Sequence, residues 1–127
     1  MPVFNSTTPS AFGRFEIAQV LNESGISTAL PYKSQQIALT PNAGKLGRRV
    51  DVSVQFSAAP GAFSFVLGTA PTDSDGLYVA QGAAIAAADS NNSVTQRREI
   101  PDSHNFARLK FTALTNSVTA AASLSQS

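Results

Sequence analysis

With 127 residues and a formal charge of +1, the chain is the size of one ordinary domain and carries too weak a field to draw it to nucleic acid or an anionic membrane. Cysteine is absent, which excludes disulfides, thiolate catalysis and cysteine-ligated metal. Charged residues make up 13 per cent of the chain, about half the usual share, and so lightly charged a surface suits a protein packed against copies of itself or a partner.

Residues 1–10 hold two prolines among Asn, Ser and Thr, a composition for an extended arm ahead of a domain spanning 11–127. Val3 and Phe4 are the apolar exceptions: either they dock on a neighbouring subunit or they close the end of the chain's own core. The start lacks a basic region followed by an apolar run, so no signal peptide is expected. No apolar stretch approaches the roughly 20 residues that span a bilayer. The Asn-x-Ser/Thr triplets at Asn5, Asn22 and Asn91 then carry little weight as glycosylation sites.

Residues 11–21 fit a strand through Phe15 and Ile17, or a helix through Phe12, Phe15 and Gln19 capped by Ser10. Gly13 weakens the helix and Asn22-Glu23-Ser24-Gly25 reads as a turn, so the strand is preferred. Ile37 and Leu39 alternate with polar neighbours between Pro31 and Pro41, giving a short strand over 34–39. Pro41-Asn42-Ala43-Gly44 turns the chain into its clearest segment. There Val50, Val52, Val54 and Phe56 share one strand face and Arg49, Asp51, Ser53 and Gln55 the other. After Pro60-Gly61 the pattern repeats in Phe63, Phe65 and Leu67, which predicts a hairpin with one apolar face. Such a hairpin is unstable alone and needs a second layer.

A loop over 68–76 is expected from composition, then a short strand at Leu77-Tyr78-Val79, and a loop or single helical turn over 81–92. Val94, Gln96, Arg98 and Ile100 alternate with Thr95, Arg97 and Glu99. Past a turn at 101–105, Ala107, Leu109, Phe111 and Ala113 oppose Arg108, Lys110 and Thr112. Val118, Ala120, Ala122 and Leu124 form a closing strand. About eight strands joined by turns predict an all-β, single-domain antiparallel β-sandwich, jelly-roll-like.

Candidate chemistry is sparse. His104 is the single histidine, beside Asp102, whereas a metal site wants three or four converging ligands. A nucleophilic hydrolase would need a serine to meet that one histidine, and no Gly-x-Ser-x-Gly is present, so no catalytic residue, metal ligand or cofactor site is assigned and no enzyme is expected. Asp73-Ser74-Asp75-Gly76 has the carboxylates and glycine of a calcium loop but lacks the remaining ligands, and the same residues make an ordinary tight turn. Gly44-Lys45-Leu46-Gly47-Arg48-Arg49 lacks the Gly-Lys-Ser/Thr order of a phosphate loop. With Arg97 and Arg98, the arginines Arg48 and Arg49 have three open readings: solvated strand ends, bidentate contacts to carboxylates of another subunit, and nucleic-acid contacts. Sugar stacking has only Tyr32 and Tyr78 to draw on, since tryptophan is absent and the phenylalanines occupy inward positions.

The run Phe63-Ser64-Phe65-Val66-Leu67-Gly68-Thr69 through Phe106-Ala107-Arg108-Leu109-Lys110-Phe111-Thr112 resembles a layout of small β-sandwich virion proteins of tailed bacteriophages, of the capsid decoration (cement) type. A strand, a loop rich in Asp, Ser and Gly, and a closing aromatic-x-Arg-Leu-x-aromatic strand carry the resemblance over about half the chain. It implies a structural protein on the capsid surface of a virion, assembled in the host cytoplasm. It also implies a homotrimer seated on the major capsid protein or other virion subunits, with residues 1–10 as a clasping arm. Val3, Phe4, Arg48, Arg49, Arg97 and Arg98 are then the candidate subunit contacts, and neither membrane nor nucleic acid is an expected partner. Two further functions stay open: a receptor- or carbohydrate-binding module of a tail or appendage, and a shell-forming coat protein.

Overall fold

The computed structural model describes residues 17–39, 48–89 and 91–126. These form nine strands: β1 (Ile17–Glu23), β2 (Tyr32–Lys33), β3 (Ile37–Ala38), β4 (Arg48–Phe56), β5 (Phe63–Ala70), β6 (Val79–Ala80), β7 (Ser93–Ile100), β8 (Phe106–Leu114) and β9 (Ala120–Gln126). Single turns of 3-10 helix at Ile26–Thr28 and Asp75–Leu77 are the helical pieces among the described residues. One antiparallel sheet runs β1-β9-β4-β7 and the other β2-β8-β5-β6, with β3 also on β8. Taken side by side, the two orders set β1 with β2, β9 with β8, β4 with β5 and β7 with β6, which is jelly-roll order. The proposed arm, the 41–44 turn, Val3 and Phe4 lie outside the described residues, as does the side chain of Arg48.

The core forms where the two alternating patterns meet. Val50, Val52 and Val54 are fully buried on β4, in one core cluster with Leu67, Leu109 and Phe111 from the other sheet. Phe56 supplies the link at one end: its ring lies 5.0 Å from Phe63 and 6.5 Å edge-on from Phe111, and Phe111 lies 4.8 Å from Phe65. Offset and edge-to-face rings of this kind add to what their buried area gives.

The expected β4–β5 hairpin is not formed. β4 pairs with β7 and β9, and β5 with β8 and β6. Both strands have one apolar face, and stacking the faces across the roughly 10 Å between sheets buries more than leaving them side by side. The six residues 57–62 make that crossing, with Gly61 at φ +72°, tied by the Thr115 and Asn116 amides donating to Ala62 and Pro60 carbonyls.

Other departures are local. β1 runs through Asn22 and Glu23, the expected turn residues, and the turn begins after them. β5 continues through Gly68-Thr69-Ala70, the expected start of a loop, because β8 pairs with all three and β6 with Gly68 and Thr69 on the other side. β6 starts at Val79, since Leu77 belongs to the 3-10 turn. The 81–89 segment has no helix and bonds to β5 at two places: Gln81 donates to the Leu67 carbonyl, and Ile85 and Phe65 exchange backbone hydrogen bonds. Register shifts at Val20 and Thr112 mark bulges, so Leu114 rather than Ala113 is buried in β8. His104 stays in its turn, with Nδ1 2.6 Å from the buried Thr69 hydroxyl, which also accepts from Gln81.

Candidate functional site

The register fixes what each sheet presents to the outside. In the five-stranded sheet Lys33 stands opposite Lys110 and Lys110 opposite Val66, while Arg108 stands opposite Gly68 and Gly68 opposite Ala80. Three cations therefore crowd one outer face, two of them directly opposite, an arrangement that disfavours the folded sheet unless something answers the charge.

Part of the answer comes from the 71–78 segment folded back over that face. Asp75 accepts from Lys33 Nζ at 2.8 Å through Oδ1 and 2.9 Å through Oδ2, and from Arg108 at 2.7 Å through Oδ1. The same guanidinium lies 3.8 Å from the centre of the Tyr78 ring, and the Tyr78 hydroxyl donates to Asp73 at 2.7 Å. Tyr78 packs over Gly68, close enough that a Cβ there would meet it in ordinary van der Waals contact at 3.7 Å. The residues enclose a cleft of about 290 Å³ lined by Lys33, Val66, Asp75, Tyr78, Arg108 and Lys110.

The electrostatics follow from these contacts. Hydrogen bonds from Lys33 and then Arg108 hold the Asp75 carboxyl down at about 2, although it is two-thirds exposed. Burial, then the hydrogen bond to Asp73, pushes the Tyr78 phenol far above the usual tyrosine range. Lys110 has no ion-pair partner among the described residues, so the one lining carboxylate answers two of the three cations.

The arginines singled out from the sequence do not form one patch. Arg49 is exposed on the outer face of the four-stranded sheet, opposite Glu99, and Arg97 on the same face donates to Asp51 at 2.7 Å. Arg98 points the other way. It bonds Gln96 Oε1 and the Ala83 carbonyl beneath the 82–88 segment, with its buried Nε unpartnered. An inward-facing charge on an outermost strand such as β7 discourages pairing with a foreign strand. The Asp73–Gly76 segment singled out in the sequence does carry site residues, as acceptors for cations of the sheet and for Tyr78. Among the described residues no group of three or more His, Asp or Glu has the proximity to hold a metal ion. Lys33, Arg108 and Lys110 escaped sequence reasoning as site residues; outward alternation in β8 is the one signal for Arg108 and Lys110, and Lys33, on the two-residue β2, has none.

These features define an antiparallel jelly-roll sandwich with a charged cleft on the outer face of one sheet. No family model and no curated protein matches the chain. A solved structure that resembles it is the K1 cleaved adhesin domain of Lys-gingipain from Porphyromonas gingivalis W83, with a TM-score of 0.54 and 10% identity over 87% of this chain and 72% of that one. At that identity the likeness establishes the shared sandwich fold.

Proposed function

We propose that the chain is a non-catalytic binding module of the receptor- or carbohydrate-binding kind, using the cleft over β2, β8, β5 and β6 as its ligand face. The observation that carries this reading is the excess of cations in a bounded concavity: Lys33, Arg108 and Lys110 line it, with Asp75 as the one carboxylate among its described lining residues. Sandwich folds of this order serve as lectin domains and as viral capsid domains, so the fold leaves the choice to the site. Likeness of fold to an adhesin domain is in keeping with attachment. Screening the intact chain against arrayed glycans and cell-surface extracts should give binders that an Arg108→Ala, Lys110→Ala double variant loses. Wild-type protein that binds nothing on either screen would overturn the reading.

A second reading, a phage capsid decoration protein bound to the virion surface as a trimer, draws on a different observation. On the outer face of the four-stranded sheet the charges cancel in opposed pairs, Arg49 with Glu99 and Arg97 with Asp51, and beside them Ser53, Thr95, Ala121 and Ser123 form a patch of small uncharged side chains able to approach another subunit closely. That reading requires self-association and attachment to heads, and removal of residues 1–10 should weaken attachment without unfolding the domain. Truncated protein that attached as well as intact protein would end the role of the arm.

A further inference from the structure

Resting on the binding-module reading, we propose that the cleft takes an acidic saccharide, its carboxylate on Lys110 and its ring hydroxyls on Asp75. The cation side of the argument is arithmetic. Lys33 and Arg108 are both engaged by Asp75, whereas Lys110, directly opposite Lys33, has no ion pair among the described residues. An anion seated on Lys110 would relieve a like-charge pair that the fold otherwise tolerates at a cost.

Asp75 decides between classes of anion. Its Oδ1 already accepts from both Lys33 and Arg108, but Oδ2 accepts only from Lys33 and keeps a free lone pair. It stays ionised at any ordinary pH because its two cations hold it so. A second carboxylate, Asp73, accepts from Tyr78 nearby. A polyphosphate or nucleic-acid backbone offers acceptors alone and would be repelled by these carboxylates. It would also want an extended basic track, which a chain of net charge +1 does not offer. An acidic sugar brings an anion and several hydroxyl donors within one ring, matching a site where Lys110 awaits an anion and Asp75 can still accept.

The remaining lining fits the rest of such a ligand. Val66 and Ala80 give the cleft apolar wall. Leu77 and Val79, the large hydrophobic residues exposed among those described, flank Tyr78 in the chain. Sugar rings present C–H faces that prefer such surface to water.

Calorimetric titration of the full chain tests this with four probes: N-acetylneuraminic acid, glucuronic acid, galactose and inorganic sulfate. The acidic sugars should bind more tightly than galactose or sulfate. Lys110→Gln should cost at least about tenfold for the acids, as for loss of a charge-assisted hydrogen bond, and Lys110→Arg should restore most of it. Asp75→Asn should erase the preference for acidic sugars over sulfate. Circular dichroism and the melting temperature check that each variant is folded. Galactose bound as tightly as the acids would leave a binding module but end the acid assignment. Sulfate bound as tightly as the acids would reduce the cleft to a bare anion site and end the saccharide assignment. If no acidic sugar bound while the wider screen found another binder, this inference alone would fall; if the wider screen were also blank, both would.

Discussion

The two sheets share an inward pattern and differ on the outside. Within the sandwich each contributes alternating Val, Leu, Ile and Phe. Outside, one row across the four-stranded sheet reads Gln19, Ser123, Ser53, Thr95, without a charge. On the five-stranded sheet, rows of the same kind set Lys33 against Lys110 and Arg108 against Gly68 under a returning loop. Packing accounts for the inner faces of both sheets and places no demand on the outer ones. A concentration of like charge on one outer face, in a chain that otherwise spends few charges, is therefore the better mark of function.

Removing what both faces rest on should give the largest effect. Phe111 meets Phe56 of the opposite sheet and Phe65 of its own, so Phe111→Ala should cost about 3–5 kcal/mol in urea unfolding and weaken both faces together. A smaller loss, with one transition split into two, would show sheets that hold independently. Next in size is Gly82→Ala, on the segment over the β7 side of the sandwich. Gly82 sits at φ +81°, and an added Cβ would stand 2.8 Å from Arg98 Nε. The left-handed backbone and the contact together should cost about 1–2 kcal/mol. Pairing it with Arg98→Ala should recover the contact part and leave the backbone part.

Asp75→Asn should act on the charged face alone. Its melting temperature at neutral pH should fall only slightly below wild type, because the ion pairs it breaks are exposed. The pH dependence separates the two proteins more sharply. With the Asp75 pKa at about 2 when folded, against roughly 3.9 for a free aspartate, its contribution is fully present above about pH 4 and is lost as the pH falls towards 2. Wild-type stability should therefore drop more steeply than the variant's across that window. Parallel curves would mean that the Lys33–Asp75–Arg108 link does not persist in solution.

Alternation along the chain is enough to make the inner faces legible: Val50, Val52, Val54 and Phe56 are buried where their spacing puts them. It does not give partners, because a period of two says which side a residue faces and nothing about its neighbour strand. That is why Pro60-Gly61 reads as a hairpin turn while the chain crosses to the other sheet. A bulge is invisible to it as well, so Thr112 moves the buried position from Ala113 to Leu114. The cleft is less legible still. Asp75 meets Lys33 from 42 positions away and Arg108 from 33. Such meetings depend on sheet order and register, and a two-residue strand such as β2 has too few residues to show a period at all.

The smallest effect is the one that bears most directly on the outer face of the four-stranded sheet. Ser53 is exposed at its centre, between Thr95 and Ser123, with no like charge opposite it. For an isolated molecule Ser53→Lys should then change stability by no more than about 0.5 kcal/mol and leave the charged cleft untouched. If that face meets a second copy, the same lysine is buried without a partner. Sedimentation velocity should then show wild-type oligomers falling to monomers at equal concentration while the melting temperature of the monomer holds. Unchanged oligomers would move subunit contacts off this sheet, and a wild type already monomeric would end the trimer required by the decoration reading.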